Sequence, residues 1–156
     1  MKNFAIPGVG EMTIKNILFD YNGTLAIDGD PVPGVREKIN AHSVDLDFHV
    51  ITADTFGTVE KALKGVDCRV VTIPERDQDR AKAEYLETLG PGATIACGNG
   101  ANDEFMLKNA ALGVAVLLDE GLNTRALIAS DLLIKDVMDL FSYLENPGRL
   151  IACLRK

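Results

Sequence analysis

The chain has 156 residues, of which 47% are hydrophobic and 25% are charged, and its formal net charge is −7. This length fits one domain, 1–156, with a sizeable core. The acidic balance argues against nucleic acid as a partner, because binding a phosphate backbone requires clustered Lys and Arg. No apolar run approaches the roughly 20 residues that cross a bilayer, and no signal-peptide pattern opens the chain. We therefore expect a cytoplasmic protein without a membrane partner.

Strands alternate with helices along the chain. The predicted elements, in chain order, are strands at 4–6 and 12–19 forming a hairpin around PGVG, a helix at 33–41, a strand at 44–52, a helix at 54–63, a strand at 68–73, a helix at 77–89, a strand at 94–97, a helix at 102–110, a strand at 112–118, a helix at 121–130, a strand at 132–134 and one or two helices at 137–154. This alternation predicts an α/β fold with three layers and a doubly wound, mostly parallel sheet, preceded by an N-terminal β-hairpin.

Polar residues follow three of the predicted strands. Asp20 ends the first long strand within FDYNGTLA, and Thr52 ends the next within ITAD. Asn99, Asn102 and Asp103 follow a later strand within GNGAND. A carboxylate at the end of a buried strand is unfavourable unless it has a partner or a role. Because ligands bind beyond the carboxyl ends of parallel strands, we expect these side chains to meet at one edge of the sheet.

Lys82 lies in the predicted helix just before the strand that leads to GNGAND. With it, the set contains a carboxylate nucleophile, a hydroxyl, an ammonium group and several oxygen ligands for a hard cation. Phosphoryl transfer needs these parts, because the charge on the phosphate oxygens must be neutralised while the attacking oxygen is held in line. We therefore expect Mg²⁺ as the cofactor and a phosphorylated small molecule or macromolecule as the substrate.

The motifs resemble those of the haloacid dehalogenase superfamily. DYNGT, ITAD, a lysine and GNGAND look like its four motifs, and the similarity covers nearly the whole chain. Within the superfamily the chain is most similar to the phosphorylation domain of P-type ATPases. There DYNGT resembles Asp-Lys-Thr-Gly-Thr, ITAD resembles Thr-Gly-Asp, and GNGANDEFMLKNAALGVAV resembles the Gly-Asp-Gly-x-Asn-Asp segment. The combination looks like that of the small soluble P-type ATPase-like proteins.

The resemblance implies a role for four residues of the first three motifs. Asp20 would be the nucleophile that becomes an aspartyl phosphate. The backbone carbonyl of Asn22 would help to hold magnesium. Thr52 would hydrogen-bond the transferred phosphoryl group, and Lys82 would stabilise the charge on Asp20 and on the phosphate.

The same resemblance implies roles for the last motif. Asn99 and Asp103 would lie at the metal, and Asn102 would support the phosphate or the loop. Asp54 has two interpretations that the sequence leaves open. It would either orient Lys82 or cap the helix that follows it.

Two residues depart from the pattern. Most phosphatases of the superfamily have, at the position of Asn22, an aspartate that protonates the leaving group and then activates water. An amide does neither, and such acid–base help is typically worth about 10²–10⁴ in rate. Asn99 stands where the pattern has a metal-binding aspartate, so it offers a neutral oxygen and removes one negative charge. We expect slow turnover that favours acyl, aryl or anhydride phosphates.

The spacing of the motifs leaves no room for an inserted cap domain. Thr52 follows Asp20 by 32 residues, and Lys82 follows Thr52 by 30. Both intervals are filled by predicted elements of the core fold and by a short flap at 27–32, which we expect to cover the site. Capless relatives act on large substrates or close their sites by oligomerisation, so a homo-oligomer is one possible state.

Four functions compete at this stage. The leading hypothesis is a Mg-dependent phosphatase or phosphotransferase, a phosphohydrolase of the haloacid dehalogenase type. The second is a catalytically degenerate protein that binds a phosphorylated ligand or partner. The third is a phospho-acceptor receiver domain, although receivers carry their acceptor on the third strand. The fourth is a tetrameric capless sugar-phosphate phosphatase, to which DYN and GNG are less similar.

Overall fold

The structure is a computed structural model that describes residues 1–156. Its strands are β1 (Lys2–Ile6), β2 (Gly10–Ile14), β3 (Asn16–Asp20), β4 (Ala26–Ile27), β5 (Asp30–Pro31), β6 (Asp47–Thr52), β7 (Arg69–Thr72), β8 (Thr94–Gly98), β9 (Leu112–Val116) and β10 (Leu132–Ile134). Its α-helices are α1 (Val35–His42), α2 (Thr58–Ala62), α3 (Gln78–Leu89), α4 (Glu104–Asn109), α5 (Thr124–Ala129), α6 (Met138–Glu145) and α7 (Pro147–Leu154). None of these helices has both the length and the apolar character needed to span a bilayer.

Six strands form one parallel sheet in the order β10-β9-β8-β3-β6-β7. From β3 the chain first adds β6 and β7 on one side, and it then crosses back to place β8 on the other side of β3. The strand order therefore reverses between β3 and β8. In open α/β sheets, the crevice at such a switch point is where ligands bind.

Helices cover both faces of the sheet, so its central strands are buried on both sides. On β3, Ile17 and Phe19 belong to a core cluster of 28 buried residues that includes residues of α1, α6 and α7. Leu18 points the other way, into a cluster of eight buried residues that includes Leu86 of α3. The predicted three-layer, doubly wound α/β fold is confirmed.

The predicted N-terminal hairpin also forms, but the predicted strand at 12–19 is in fact two strands. β1 pairs with β2 as a separate antiparallel ribbon, and β3 begins only at Asn16. The break falls at Lys15, whose backbone amide donates to the carbonyl of Ala93 and whose carbonyl accepts from Asp47. These bonds lead the chain from the hairpin into the main sheet.

Candidate active site

Asp20 is the last residue of β3 and lies at the switch point. The buried run of β3 pairs with β6 on one side and with β8 on the other, which fixes the direction in which its carboxyl end points. The Asp20 side chain keeps 13% of its surface exposed. Its Oδ1 lies 2.6 Å from Lys82 Nζ.

Lys82 joins two carboxylates across the floor of the site. It lies in α3, and its Nζ donates to Asp20 Oδ1 and, at 2.7 Å, to Asp103 Oδ1. Its side chain is only 1% exposed, and that of Asp103 is completely buried. The floor therefore holds two carboxylates and one ammonium group, with a formal charge of −1 when all three are ionised.

Asp103 braces the turn that follows β8. Its Oδ2 accepts hydrogen bonds from the backbone amides of Asn99 at 3.0 Å and Gly100 at 2.9 Å. A Cβ at Gly98 would lie 2.5 Å from Asp103 Cγ, so this position requires glycine. Asp103 thus serves as the counter-ion of Lys82 and as the anchor of the GNGAND turn. Its role as a metal ligand stays a prediction.

Burial dominates the ionisation of Asp20. Loss of water contact, reinforced by the negative charge of Asp103, raises the pKa of Asp20 to about 7, although the ammonium of Lys82 opposes the shift. For Lys82 burial acts to lower the pKa, but the two carboxylates outweigh it and the pKa is raised. Lys82 is therefore an ammonium at neutral pH, while Asp20, with a pKa of about 7, is partly protonated there when no metal ion is bound.

A pocket of about 490 Å³ opens above this floor. Its lining is almost entirely polar and comprises Asp20, Asn22, Thr52, Ala53, Asp54, Glu75, Gln78, Lys82, Asn99, Gly100 and Asn102. Every predicted site residue lines this pocket except Asp103, which lies beneath it. The fold brings together residues from β3, β6, α3 and the turn after β8, as their positions at strand ends indicate.

Among the residues not singled out from the sequence, two make side-chain hydrogen bonds within the site. Thr24 is fully buried, and its Oγ1 lies 3.5 Å from Asp20 Oδ2 and 3.4 Å from Asn99 Oδ1. Its place four residues after Asp20, in a glycine-containing turn, was the available signal. Gln78 accepts a 2.7 Å hydrogen bond from Asn102 Nδ2, which ties the start of α3 to the GNGAND turn. Nothing in the local sequence marks Gln78.

Asp54 caps α2 and does not orient Lys82. Its Oδ2 accepts from the Thr58 hydroxyl at 2.6 Å and from the Val59 amide at 2.9 Å, while Oδ1 accepts from the Phe56 amide. Led by the Thr58 hydroxyl, these donors lower the pKa of Asp54 to about 2. Of the two interpretations that the sequence left open, the structure supports the helix cap.

The predicted flap forms as the β4–β5 hairpin but does not cover the pocket. No residue from 27 to 32 is among its lining residues. The Tyr21 hydroxyl donates to the carbonyl of Gly29 at 2.8 Å, and the amide of Asp28 donates to Glu120 Oε1 at 2.7 Å. These two bonds hold the tip of the hairpin against neighbouring loops.

The pocket offers oxygen donors that fit a hard cation. These are the carboxylate of Asp20 and the carboxamide oxygen of Asn99, while the backbone carbonyl of Asn22 as a third ligand stays a prediction. Mg²⁺ is commonly held by one or two carboxylates together with water and phosphate oxygens, so a site with one accessible carboxylate is chemically suitable. No sulfur or imidazole ligand lines the pocket.

Solved structures with the same architecture are haloacid dehalogenase-type phosphatases. The cobalt-bound deoxy-D-mannose-octulosonate 8-phosphate phosphatase of Haemophilus influenzae superposes with a TM-score of 0.70 and 13% identity, covering 87% of each chain. The 3-deoxy-D-manno-octulosonate 8-phosphate phosphatase of Moraxella catarrhalis, solved with magnesium, phosphate and KDO, has a TM-score of 0.66 and 15% identity, over 91% of this chain and 94% of that one. The chain therefore has the haloacid dehalogenase-type fold.

One sequence relative identifies the family of this chain. An uncharacterised protein of Methanocaldococcus jannaschii, MJ0073, is 48% identical over 79 residues, which are 48% of this chain and 85% of that protein. This chain belongs to the same family as MJ0073. No protein-family model matches the chain.

Two other relatives share only part of their length with this chain. The human phospholipid-transporting ATPase ID is 35% identical over 96 residues, or 60% of this chain and 7% of the ATPase. The Holliday junction branch migration complex subunit RuvA of Micrococcus luteus is 34% identical over 86 residues, or 52% of this chain and 40% of that subunit. The first likeness agrees with the resemblance of the motifs to P-type ATPases.

Proposed function

We propose that this protein is a Mg²⁺-dependent phosphatase or phosphotransferase that works through an aspartyl phosphate on Asp20. The observation that carries the proposal is the 2.6 Å contact between Lys82 Nζ and Asp20 Oδ1 at the floor of an open polar pocket. A buried lysine that holds Oδ1 leaves Oδ2, which lies 3.5 Å from the Thr24 hydroxyl, as the oxygen that attacks phosphorus. The pocket lies at the switch point of the sheet, where ligands bind in this class of fold.

In the first step, Asp20 Oδ2 attacks the phosphorus of the substrate. A bond forms between Oδ2 and phosphorus, and the bond between phosphorus and the leaving oxygen breaks, so the leaving group departs with the electron pair. Lys82 keeps Oδ1 in place and stabilises the charge on the phosphoryl group. The Thr52 hydroxyl, at the end of β6, is available to donate to a phosphoryl oxygen. Magnesium, when bound, neutralises the phosphate oxygens.

In the second step, the acyl phosphate is cleaved. Water, or the hydroxyl of an acceptor molecule, attacks the phosphorus, the bond to Oδ2 breaks, and the Asp20 carboxylate is restored. Water gives inorganic phosphate, and an acceptor gives a new phosphate ester. The attacking oxygen loses its proton to bulk water or to the product phosphate, because Asn22 has no carboxylate to accept it.

The missing acid–base residue limits the substrates. A poor leaving group such as an alkoxide needs a proton as the bond breaks, and Asn22 does not supply one at neutral pH. We therefore infer that acyl, aryl and anhydride phosphates react faster than alkyl phosphates. Sugar phosphates belong in the substrate panel, because the two structural neighbours act, by name, on an octulosonate 8-phosphate.

A second candidate is a protein that binds a phosphorylated ligand without useful turnover. The specific observation in its favour is that two amides, Asn22 and Asn99, line the pocket where the superfamily pattern has carboxylates. The intact pairing of Lys82 with Asp20 favours the enzyme.

Phosphate release from acetyl phosphate, p-nitrophenyl phosphate, ATP and a sugar phosphate, with and without Mg²⁺, separates the two candidates. We expect Mg²⁺-dependent turnover in the wild type, its loss in Asp20→Asn, and unchanged turnover in Asp119→Asn, an exposed carboxylate outside the pocket. Wild-type release equal to that of Asp20→Asn on all substrates contradicts the enzyme. Native mass spectrometry of the same samples tests whether a homo-oligomer forms.

A further inference from the structure

Both the backbone and the side chain of Asn99 make hydrogen bonds. It directly follows β8, and its backbone amide donates to Asp103 while its carbonyl accepts from the amide of Asn123 at 2.8 Å. Its side-chain Nδ2 donates to the carbonyl of Gly121 at 3.0 Å. Asn99 is thus the point where the pocket meets the loop 117–123.

The side chain of Asn99 is also enclosed. A Cβ at Gly23, which has φ +78°, would collide with the Asn99 amide. On the other side, Asn99 Oδ1 faces the buried hydroxyl of Thr24. The amide therefore has little freedom to turn. A carboxylate in the same place would set an oxygen against the carbonyl of Gly121, because it has no hydrogen to donate.

The loop that Asn99 holds is in turn bonded to the β4–β5 hairpin. Glu120, the neighbour of Gly121, accepts through Oε1 from the amide of Asp28 at the hairpin tip. Asp28 has φ 52°, in the left-handed region that aspartate adopts more readily than most residues, and the hydrogen bond from its amide holds the tip in this conformation. Hydrogen bonds thus run from the pocket through 117–123 to the hairpin.

We propose that Asn99 is a positioning residue whose amide fastens the loop 117–123, and through it the β4–β5 hairpin, at the expense of one negative charge at the metal site. The metal part of this inference rests on the proposed function, whereas the tether does not. Asn99 offers a cation only a neutral oxygen, because its side chain must supply the N–H donor to the carbonyl of Gly121. The tether holds the hairpin tip against the loop 117–123.

The test compares two substitutions at Asn99 with two in the loop. Asn99→Asp removes the Nδ2 donor and adds a charge. Asn99→Ser removes the Nδ2 donor without adding a charge, and its hydroxyl, which is one bond shorter, does not reach the position of Nδ2. Glu120→Ala breaks only the last link, and Asp119→Ala is its matched control, since Asp119 is an exposed acid outside the pocket. Amide hydrogen exchange reports the tether, and calorimetric titration with MgCl₂ reports the metal site.

We expect exchange at the amides of Asn123 and Asp28 to be about tenfold faster in both Asn99 variants, since one hydrogen bond contributes about that factor to local opening. Glu120→Ala should accelerate Asp28 alone, and Asp119→Ala should accelerate neither. The Kd for Mg²⁺ should fall by about tenfold or more in Asn99→Asp, because a carboxylate attracts the cation. It should not fall in Asn99→Ser.

Unchanged exchange in both Asn99 variants would contradict the tether. An unchanged or higher Kd for Mg²⁺ in Asn99→Asp would contradict the proposed loss of one negative charge at the metal site. Neither result depends on turnover. Failure of the proposed function appears separately, as phosphate release that does not depend on Asp20. A circular dichroism spectrum shows whether each variant folds, and Asn99→Ser tests the tether if Asn99→Asp does not.

Discussion

At the scale of single residues, the buried charged groups of the site lower the stability of the protein. Burial and the negative charge of Asp103 raise the pKa of Asp20 from 3.8 to about 7, against the opposing effect of the Lys82 ammonium that the two carboxylates share. Between about pH 4 and pH 7, the Asp20 carboxyl keeps its proton in the folded state but is ionised in the unfolded chain. The free energy of unfolding therefore falls as pH rises from about 4 to about 7. Sites that bind a cation or a phosphate commonly carry such a penalty when empty.

Asp20→Asn should therefore stabilise the metal-free protein above pH 7. We expect the melting temperature at pH 8 to rise by several degrees, while the two proteins converge below pH 4, where the wild-type carboxyl is protonated in both states. Thermal unfolding across pH 4–8, in the presence of a chelator, measures this. A lower melting temperature for Asp20→Asn at pH 8 would show that Lys82 stabilises the carboxylate more than burial opposes it.

A second residue-scale prediction concerns Asn22. Asn22→Asp supplies a carboxyl group at the position where proton transfer is missing, so hydrolysis of alkyl phosphates should accelerate by up to about 10²–10⁴. Acetyl phosphate should gain much less, because its leaving group departs without a proton. Steady-state kcat/KM for the two substrates gives the comparison, with Asn22→Ala as the control. Equal gains on both would refute the role assigned to this position.

At the scale of elements, the side chain of Asp54 holds the loop after β6 in its conformation. Asp54 accepts hydrogen bonds from Phe56, Thr58 and Val59, and Gly57 takes φ 72° just before α2 begins. The carboxylate holds the short helix in place beside Thr52, whose Oγ1 accepts from the Asp54 amide at 3.1 Å. Asp54 therefore contributes to the pocket through the shape of the loop.

Asp54→Asn should destabilise the protein at pH 7, and the destabilisation should shrink between pH 4 and pH 2 and vanish below that. The folded-state pKa of Asp54 is lowered to about 2, so its stabilisation is present above the unfolded value of 3.8 and is lost as pH falls through about 2. Chemical denaturation at pH 7 and at low pH measures the difference. Asp119→Asn is the control, and a penalty that does not depend on pH would contradict the charged cap.

At the scale of the whole molecule, a divalent cation should link protonation, stability and the site. Binding to the folded state alone stabilises the protein by RT ln(1 + [L]/Kd), about 2.7 kcal/mol at 100 times Kd. Because the pKa of Asp20 is raised to about 7, Mg²⁺ must displace its proton below that pH.

The melting temperature should accordingly rise with added MgCl₂ at pH 8, rise less at pH 6, and stay nearly constant in Asp20→Asn. Differential scanning calorimetry at both pH values measures this, with NaCl of equal ionic strength as the control. A rise of equal size in Asp20→Asn would place the cation elsewhere on the molecule.

The sequence by itself determined the order of the elements and most of the polar residues that line the pocket. Strand–helix alternation predicts a parallel sheet, and the carboxyl ends of parallel strands meet at one edge, so Asp20, Thr52 and Asn99 could be assigned to one pocket without coordinates. The resemblance of the motifs identified Lys82. Its position in a helix alone does not distinguish it from surface lysines. Each of these inferences depends on local periodicity or on motif spacing, which a sequence displays directly.

Only the tertiary structure decided how each polar atom is paired. The local sequence allows Asp54 to cap α2, but only the fold shows that Lys82 bonds to Asp20 and Asp103 instead, and the strand break at Lys15 depends on bonds to Ala93 and Asp47. The hairpin at 27–32 lies off the pocket because Glu120, distant in sequence, holds its tip. Hydrogen bonds act over about 3 Å between residues that the fold brings together. No local pattern in the chain encodes those pairings.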